Sequence, residues 1–383
     1  MAVLRPGAPT DVEEFERAFA ALMGQRHAVA FPYGRTALLA LLDAWGLAGR
    51  EVIVPAYTCV VVPHAVVLSG GEPVFVDSSE QDCNMDLALM REAISPRTGA
   101  VIATSIFGHP VDLDALERLR ATHPDLRIIQ DCAHSFAADW NGRPVQQAGD
   151  AALFGLNISK IITSIFGGMI TTDDDGLAEQ LRSIRKARVL PARAGKSLRR
   201  GLYLAAAIPT FYEPVYGLVN RLERSGVLDR FVRYYDEGSI DMPADYLDGI
   251  SGVEARVGSV QVERYAEIVD RRRDAARMYD RLLAGIPALR LPTPNLGSTY
   301  SHYAVRVKDR DALAEKCLRL GLQLGRVIDY CCPDMAAYRD RPGCRAGYPV
   351  ASALAREVIN LPVYGGAQLA ERATRLLLRA LDG

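Results

Sequence analysis

The sequence predicts an α/β protein with a mainly parallel β-sheet. Short segments rich in β-branched residues alternate with segments of helical periodicity from residue 11 to about residue 172. Such alternation is typical of a parallel sheet with helices on both faces. The length of 383 residues favours two domains, and 49% hydrophobic with 24% charged residues is the balance of a folded globular protein.

The first element is an amphipathic helix, in which Val12, Phe15, Phe19 and Leu22 are three or four residues apart and form one apolar face. The pattern then predicts strands over 51–55, 73–77, 100–104 and 126–131, and helices over 36–45 and 113–122. Ligands of parallel sheets bind at the carboxyl ends of the strands. Three candidate residues stand at those ends: Tyr57, Asp77 and Asp131.

The second half of the chain contains an insertion and a smaller α/β unit. Between residues 188 and 242 the periodicity weakens and Tyr and Phe accumulate, so we expect an aromatic-rich insertion over about 190–245. A long helix over 253–283 follows, and then a strand over 301–307 with helices over 310–320 and 368–381. We therefore expect a large domain over 1–245 and a small C-terminal domain over 246–383.

Composition and charge exclude several classes of protein. Forty-five Lys and Arg against forty-six Asp and Glu give a net charge of −1, which argues against nucleic-acid binding. The seven Cys form no regular framework, and Cys331 and Cys332 are adjacent rather than spaced as a metal-binding pair, so we predict reduced thiols and no metal site. The first residues do not resemble a signal peptide, and Pro209, Glu213 and Pro214 interrupt the most apolar stretch. We therefore expect a cytoplasmic protein without a membrane span.

The first candidate site is the turn Tyr33-Gly34-Arg35-Thr36, directly before a predicted helix. Free amides at a helix start attract anions, and Arg35 adds a bidentate phosphate donor. The alternative is that this turn only caps the helix.

The second candidate is Asp131, which ends an apolar strand. A buried carboxylate is costly without a cationic partner, and a protonated ring nitrogen of a cofactor would be such a partner. The alternative is that Asp131 caps the next turn, with His134 an ordinary core histidine.

The third candidate is Lys160, a single lysine in an apolar window just before Gly167 and Gly168. Burial would lower the pKa of its amine and make it a better nucleophile toward carbonyls. The alternative is a lysine that snorkels from a strand edge. Together the three sites require a ligand with a phosphate, a protonated ring nitrogen and an aldehyde, and pyridoxal phosphate has all three.

The order of motifs resembles the sugar aminotransferases of the DegT/DnrJ/EryC1/StrS group, within the fold-type-I pyridoxal-phosphate enzymes. The matching segments are 49–57 (GREVIVPAY), 71–77 (GEPVFVD), 94–98 (ISPRT), 131–134 (DCAH), 149–160 with Gly167 and Gly168, 301–303 (SHY) and 360–362 (NLP). The resemblance implies a three-layer fold-type-I transferase fold, and the insertion over 190–245 is the main difference.

By this resemblance, Lys160 is the Schiff-base lysine and proton shuttle, and Asp131 pairs with the pyridinium nitrogen. The other predicted cofactor-binding residues are Gly34, Arg35, Thr36, Tyr57, Cys59, His134, Asn157 and Ser159. Where the family usually has a phosphate-binding Ser, this chain has Gly155, so Asn157, Ser159 or Arg35 would substitute. Where an aromatic residue often stacks on the ring it has Cys59, and Tyr57 would stack instead.

The resemblance implies an aminotransferase that moves an amino group from glutamate or glutamine to a nucleotide-linked keto sugar or another cyclic carbonyl compound, in amino-sugar, polysaccharide or natural-product biosynthesis. Some relatives have His at the lysine position and are dehydrases, so Lys160 favours transamination. The alternatives are a non-transaminating enzyme, such as one for amine ligation or elimination, and a non-catalytic binding or regulatory protein.

A homodimer is expected from the resemblance, and His302, Tyr330 and Arg326 are expected near the substrate without an assigned role. Membrane contact is not expected. The insertion, in which Tyr and Phe alternate with Arg, nevertheless leaves three alternatives: packing on the core or dimer, a cover over the active site, or a contact with a membrane surface.

Overall fold

The computed structural model describes residues 10–208, 238–344 and 347–382. Its main feature is a seven-stranded sheet built from β1 to β5, β8 and β9. The short strands β6 and β7 form a separate hairpin. In chain order these strands are β1 His27–Phe31, β2 Glu51–Pro55, β3 Glu72–Val76, β4 Thr98–Thr104, β5 Arg127–Asp131, β6 Asp139–Trp140, β7 Arg143–Pro144, β8 Ala151–Gly155 and β9 Gly168–Thr172.

The strand order across the large sheet is β1-β9-β8-β5-β4-β2-β3. Strand β9 runs antiparallel to both of its neighbours, and the pairs from β8 to β3 are all parallel. Thr104 and Asp131 are register partners at the ends of β4 and β5, and Asp131 also pairs with Leu153 of β8. The predicted mainly parallel α/β sheet is therefore confirmed, and its carboxyl ends meet at one edge.

The two faces of the sheet carry different hydrophobic clusters because side chains alternate along each strand. In β2, Val52 and Val54 lie in one cluster and Ile53 lies in the other. Helices cover both faces, which produces the three layers. The helices in the first part of the chain are α1 Asp11–Met23, α2 Gly34–Ala44, α3 Val61–Leu68, α4 Leu87–Ala93, α5 Leu113–Thr122, α6 Asp175–Arg188 and α7 Ala194–Ala207.

The C-terminal part contains a two-stranded antiparallel sheet, β10 Tyr303–Arg306 with β11 Val358–Leu361. Five helices accompany it: α8 Gly252–Glu263, α9 Tyr265–Leu283, α10 Arg310–Arg319, α11 Pro349–Glu357 and α12 Gly366–Asp382. A third hydrophobic cluster, with Tyr279, Tyr303 and Leu377 among its members, forms the core of this smaller unit.

The long helix predicted over 253–283 is two helices, which meet at Arg264. Helix α8 packs on α1, where the buried Arg256 donates to Asp11 at 2.6 Å, whereas α9 continues into the core of the smaller unit. The division into domains 1–245 and 246–383 stays a prediction.

Of the predicted insertion, the structure describes α7 and the residues from 238 onward. The aromatic residues Phe211, Tyr212, Tyr216, Phe231, Tyr234 and Tyr235 lie outside the described residues. Among the residues that are described, no helix combines the length and the apolar character needed to cross a membrane.

Candidate active site

Lys160 lies in the loop between β8 and β9. Its amide donates to the Asn157 carbonyl at 3.0 Å, and the Asn157 side chain accepts from the amide and the hydroxyl of Ser159, at 3.2 and 2.7 Å. A Cβ added to Gly155 would be 3.6 Å from Lys160 Cε and from Ala133 Cβ. The lysine side chain therefore folds back over the end of β8, toward the residues that follow β5.

Asp131 is buried at the end of β5, as the sequence predicts. One carboxylate oxygen accepts from the Thr104 hydroxyl at 3.2 Å, and the other accepts from the Ala133 amide at 3.0 Å. Burial raises the pKa of this carboxyl, while the Ala133 amide, the charge of Lys160 and the Thr104 hydroxyl oppose the rise. Asp131 is thus a fixed, desolvated carboxylate that a nearby positive charge would stabilise.

The pKa of Lys160 shifts in the direction that favours a neutral amine. Loss of solvation lowers it, and electrostatic interactions with Cys59 and Asp131 partly offset this shift. These interactions show that the half-buried Cys59 and the buried Asp131 both act on the same amine. A desolvated amine beside a carboxylate is suited to react with a carbonyl and to carry a proton.

Two histidines and a phenylalanine form an aromatic group beside Lys160. The ring of His134 is 5.5 Å from that of His302 and 6.0 Å from that of Phe107. Burial lowers the pKa of His134 well below its usual range, with further contributions from Lys160 and His302. Burial also lowers the pKa of His302 to about 3, with Arg272 and Lys160 adding to the shift. Both rings are therefore neutral at pH 7.

The start of α2 lies against the ends of the strands that hold Lys160. A Cβ on Gly168 would be 2.5 Å from Gly34 Cα, and one on Gly34 would be 3.3 Å from Gly155 Cα. No side chain caps this helix, and within the described chain the amides of Arg35 and Thr36 donate to no other residue. These amides and the helix dipole can attract an anion there.

The side chains of Arg35 and Thr36 are already engaged. The buried Arg35 guanidinium contacts the backbone carbonyl of Asp241 and lies 3.4 Å from its carboxylate. The Thr36 hydroxyl donates to the Tyr246 carbonyl at 3.1 Å. The end of the insertion thus holds the Arg35 side chain, and the residue that follows the insertion holds Thr36. The predicted phosphate contact of the Arg35 side chain stays a prediction.

Tyr57 is fully buried. Its hydroxyl donates to the Ile328 carbonyl at 3.1 Å, and its ring meets Phe107 edge-on at 6.1 Å. The predicted roles of Tyr57 in stacking, and of Cys59 and His134 in cofactor contact, stay predictions.

The prediction that Asp77 is a ligand-binding residue was wrong. Its carboxylate accepts from the amides of Val350 and Ala351 at 3.1 and 2.7 Å, and so caps the start of α11 in the smaller unit. The residue at the end of β3 therefore joins the two parts of the chain and is not available to a ligand.

Sequence reasoning missed Thr104 and Phe107 and gave His302 no role. A signal for Thr104 was present, since it ends the strand before the one that ends in Asp131. Phe107 carried no such signal, because its position depends on a left-handed backbone conformation, with φ of 54°.

Comparisons with known proteins identify the family of this chain. The family model of the DegT/DnrJ/EryC1/StrS aminotransferases matches residues 8–200 and 221–374. The GDP-perosamine synthase of Caulobacter vibrioides is 28% identical over 381 residues, which cover 97% of this chain and 89% of that protein.

Two solved structures are also similar. DesV of S. venezuelae in complex with a ketimine intermediate has a TM-score of 0.77 and 26% identity, with 99% of this chain and 92% of that chain covered. DesI in the presence of its TDP-sugar product has a TM-score of 0.75 and 26% identity, with 97% of this chain and 85% of that chain covered. The family model spans most of the chain, and the chain belongs to the DegT/DnrJ/EryC1/StrS aminotransferase family.

Proposed function

We propose that this aminotransferase uses pyridoxal phosphate to move an amino group from glutamate or glutamine to the keto group of a nucleotide-linked sugar. The observation that carries the proposal is the placement of Asp131 at the end of β5 and of Lys160 in the loop after the neighbouring β8, beside the uncapped start of α2. Two relatives, a GDP-perosamine synthase and an enzyme with a TDP-sugar product, support a nucleotide-linked sugar as the acceptor.

The residues present fit pyridoxal phosphate. The Lys160 amine suits its aldehyde, the buried Asp131 carboxylate suits its ring nitrogen, and the free amides of Arg35 and Thr36 suit its phosphate. When bound, the cofactor supplies a carbonyl that condenses with amines and a protonated ring that takes up electrons from a substrate carbon.

With the cofactor bound, Asp131 would hold a proton on its ring nitrogen. Its carboxylate is fixed from two sides, by the Thr104 hydroxyl and the Ala133 amide, so its orientation costs no rearrangement during the reaction. A positive charge on the ring nitrogen would oppose the upward shift that burial imposes on the Asp131 pKa, and each group would keep the other charged.

With the cofactor bound, Lys160 would move a proton between the two carbons that flank the transferred nitrogen. Its lowered pKa leaves a larger neutral fraction than an exposed lysine has, and a neutral amine can accept a proton from carbon and return it. His134, His302 and Phe107 form an aromatic wall near this amine, and the neutral rings exclude water without competing for the proton.

Several finer points belong to the same proposal. We propose a large domain over 1–245, a small domain over 246–383, a homodimer and a cytoplasmic location. The dimer follows from the fold-type-I resemblance. All seven cysteines are free thiols, which is consistent with a reducing compartment.

Product analysis tests this function. The purified protein is incubated with pyridoxal phosphate, glutamate or glutamine and a panel of GDP-, UDP- and TDP-linked keto sugars. We expect keto acid and amino sugar in equal amounts from one acceptor, and none from Lys160→Ala. Turnover of an acceptor without keto acid would show a non-transaminating reaction and contradict the proposal.

A further inference from the structure

Tyr33 occupies the position directly before α2, where helices usually have Ser, Thr, Asp or Asn. Those short side chains bond to the first free amides and so fix the start of the helix. The Tyr33 side chain makes no such bond, which leaves the amides of Arg35 and Thr36 open to an anion. A contact of another kind therefore has to fix the start of α2.

The Tyr33 hydroxyl is held from outside the helix. It donates to Asp245 Oδ1 at 2.5 Å and accepts from Arg200 Nη2 at 2.9 Å. Arg200 belongs to α7, in the first part of the predicted insertion, and Asp245 is the residue at which that insertion ends. The two ends of the insertion thus meet on the side chain that precedes α2.

The Arg200 guanidinium also contacts the segment that leads into β9. Its central carbon lies 4.1 Å from the centre of the Phe166 ring, two residues before Gly168. A Cβ on Gly168 would be 2.5 Å from the Tyr33 carbonyl oxygen and 2.6 Å from the Gly34 nitrogen, so the two backbones are in close contact. Arg200 therefore contacts both of the segments that meet beside the free amides of α2.

Two carboxylates set the orientation of the buried Arg200. Its Nε donates to Glu254 Oε1 at 2.9 Å, and its Nη2 donates to Asp245 Oδ2 at 2.9 Å. The other oxygen of the buried Glu254 accepts from the amide and the hydroxyl of Ser251, at 2.8 and 2.9 Å. Because a guanidinium carries its donors in one rigid plane, Arg200 can hold both carboxylates and the Tyr33 hydroxyl at the same time.

We infer that Arg200 is a positioning residue for the cofactor phosphate, which fixes the start of α2 by holding Tyr33 and Phe166. The inference rests on the proposed function, because it requires a phosphate at the free amides of Arg35 and Thr36. Arg200 acts on these amides through the two aromatic side chains. Donors that are already fixed bind an anion more tightly than donors that must be ordered on binding.

A comparison of pyridoxal phosphate with pyridoxal tests this inference, because the two compounds differ only in the phosphate. Absorbance titration of the cofactor-free full chain gives both dissociation constants, and their ratio measures what the phosphate contributes. Tyr33→Phe removes the bonded hydroxyl and leaves the ion pair of Arg200 with Glu254 in place. We expect this variant to bind pyridoxal phosphate about fivefold more weakly and pyridoxal as the wild type does.

Arg200→Lys tests the arginine itself. The lysine keeps a positive charge beside Glu254, but its single amine cannot hold both carboxylates and the Tyr33 hydroxyl together. We expect pyridoxal phosphate to bind about tenfold more weakly, again with little change for pyridoxal. The double variant Tyr33→Phe/Arg200→Lys should bind no more weakly than Arg200→Lys alone, because both substitutions break the same link.

Two control variants make the same chemical changes elsewhere in the chain. Tyr303→Phe removes a hydroxyl that donates to Asp280 at 2.5 Å in the smaller unit. Arg256→Lys alters the buried ion pair with Asp11. Both should lower the thermal stability and leave the ratio of the two dissociation constants as in the wild type.

Circular dichroism of each variant shows whether it is folded. Equal losses of affinity for both compounds in Tyr33→Phe and Arg200→Lys would show that the network supports the fold alone, and would overturn the inference. Unchanged affinities in both variants would also overturn it, as would a wild type that binds pyridoxal as tightly as pyridoxal phosphate. A wild type that binds neither compound would contradict the proposed function itself.

Discussion

The Thr104 hydroxyl donates to the Asp131 carboxylate at 3.2 Å, across the carboxyl ends of two neighbouring parallel strands. The contact fixes the carboxylate that we assign to the cofactor ring nitrogen, and it opposes the rise in pKa that burial imposes on Asp131. The hydrogen bond forms because Thr104 and Asp131 are register partners in the sheet, so the pairing of β4 with β5 sets the orientation of the carboxylate.

Removing this hydroxyl should weaken cofactor binding. In Thr104→Val the carboxylate loses one hydrogen bond, which costs about 1 kcal/mol, or about fivefold in the dissociation constant of pyridoxal phosphate. Titration of the purified protein with cofactor, followed by absorbance, measures the change. Thr104→Ser keeps the hydroxyl and should bind as the wild type does, and equal losses in both variants would show that the hydroxyl has no such role.

Neutralising the carboxylate itself should have a larger effect. Asp131→Asn keeps the shape but removes the charge that pairs with the ring nitrogen, and breaking a buried ion pair costs about 3–5 kcal/mol. We expect kcat/KM to fall by about a hundredfold or more, with the fold retained by circular dichroism. Asp77→Asn is a useful comparison, because it should lower stability through the start of α11 and leave the cofactor spectrum unchanged.

Two glycines near the lysine should respond in opposite ways. A Cβ at Gly155 would be at ordinary contact distance from its neighbours, so Gly155→Ser should fold and, by adding a donor near the phosphate, should bind cofactor about threefold more tightly. A Cβ at Gly168 would overlap the backbone of Gly34, so Gly168→Ala should lose about 1–3 kcal/mol of stability. Thermal unfolding and cofactor titration of both variants make the comparison, and a weaker cofactor affinity in a folded Gly155→Ser would contradict the placement of the phosphate.

Buried neutral histidines should make the protein less stable in acid. Burial lowers the pKa of His109 to about 4, so below pH 6.5 the unfolded chain binds a proton that the folded chain does not. The contribution of the neutral His109 to the free energy of unfolding is constant above about pH 6.5. Between pH 6.5 and pH 4 it decreases by up to about 1.4 kcal/mol for each pH unit.

Urea unfolding between pH 7.5 and pH 5 measures the effect. His109→Asn keeps a polar group that can face the Ser298 hydroxyl, which lies 3.1 Å from His109 Nδ1, but removes the titration. The pH dependence of its unfolding free energy should be shallower than that of the wild type by about one proton, and an unchanged slope would show that His109 does not titrate in this way.

The sheet and the central pair of the site could be predicted because their signals are local. Alternating segments predicted the parallel strands, and Lys160 and Asp131 were conspicuous because each is an ionisable residue at an apolar position. The remaining features depend on contacts between distant residues. Asp77 caps a helix that begins more than 270 residues later, and the helix predicted over 253–283 breaks where α8 turns to pack on α1.

The orientation of α7 could not be predicted for the same reason. The carboxylates of Asp245 and Glu254 bind Arg200 and hold it on the packed face of the helix, beside Tyr203 and Leu204, so that Leu198 and Leu202 are exposed. Buried ion pairs between distant residues leave no periodic signal in the sequence.

The most direct measurement is the absorbance spectrum of the protein with pyridoxal phosphate, before and after addition of glutamate or glutamine, in the wild type and in Lys160→Ala. If Lys160 holds the cofactor and moves the proton, the wild type should show the visible band of a lysine-bound cofactor, and an amino donor should abolish it. Lys160→Ala should not show this behaviour. A band that no amino donor changes, or the same spectral change in Lys160→Ala, would contradict the assignment of Lys160.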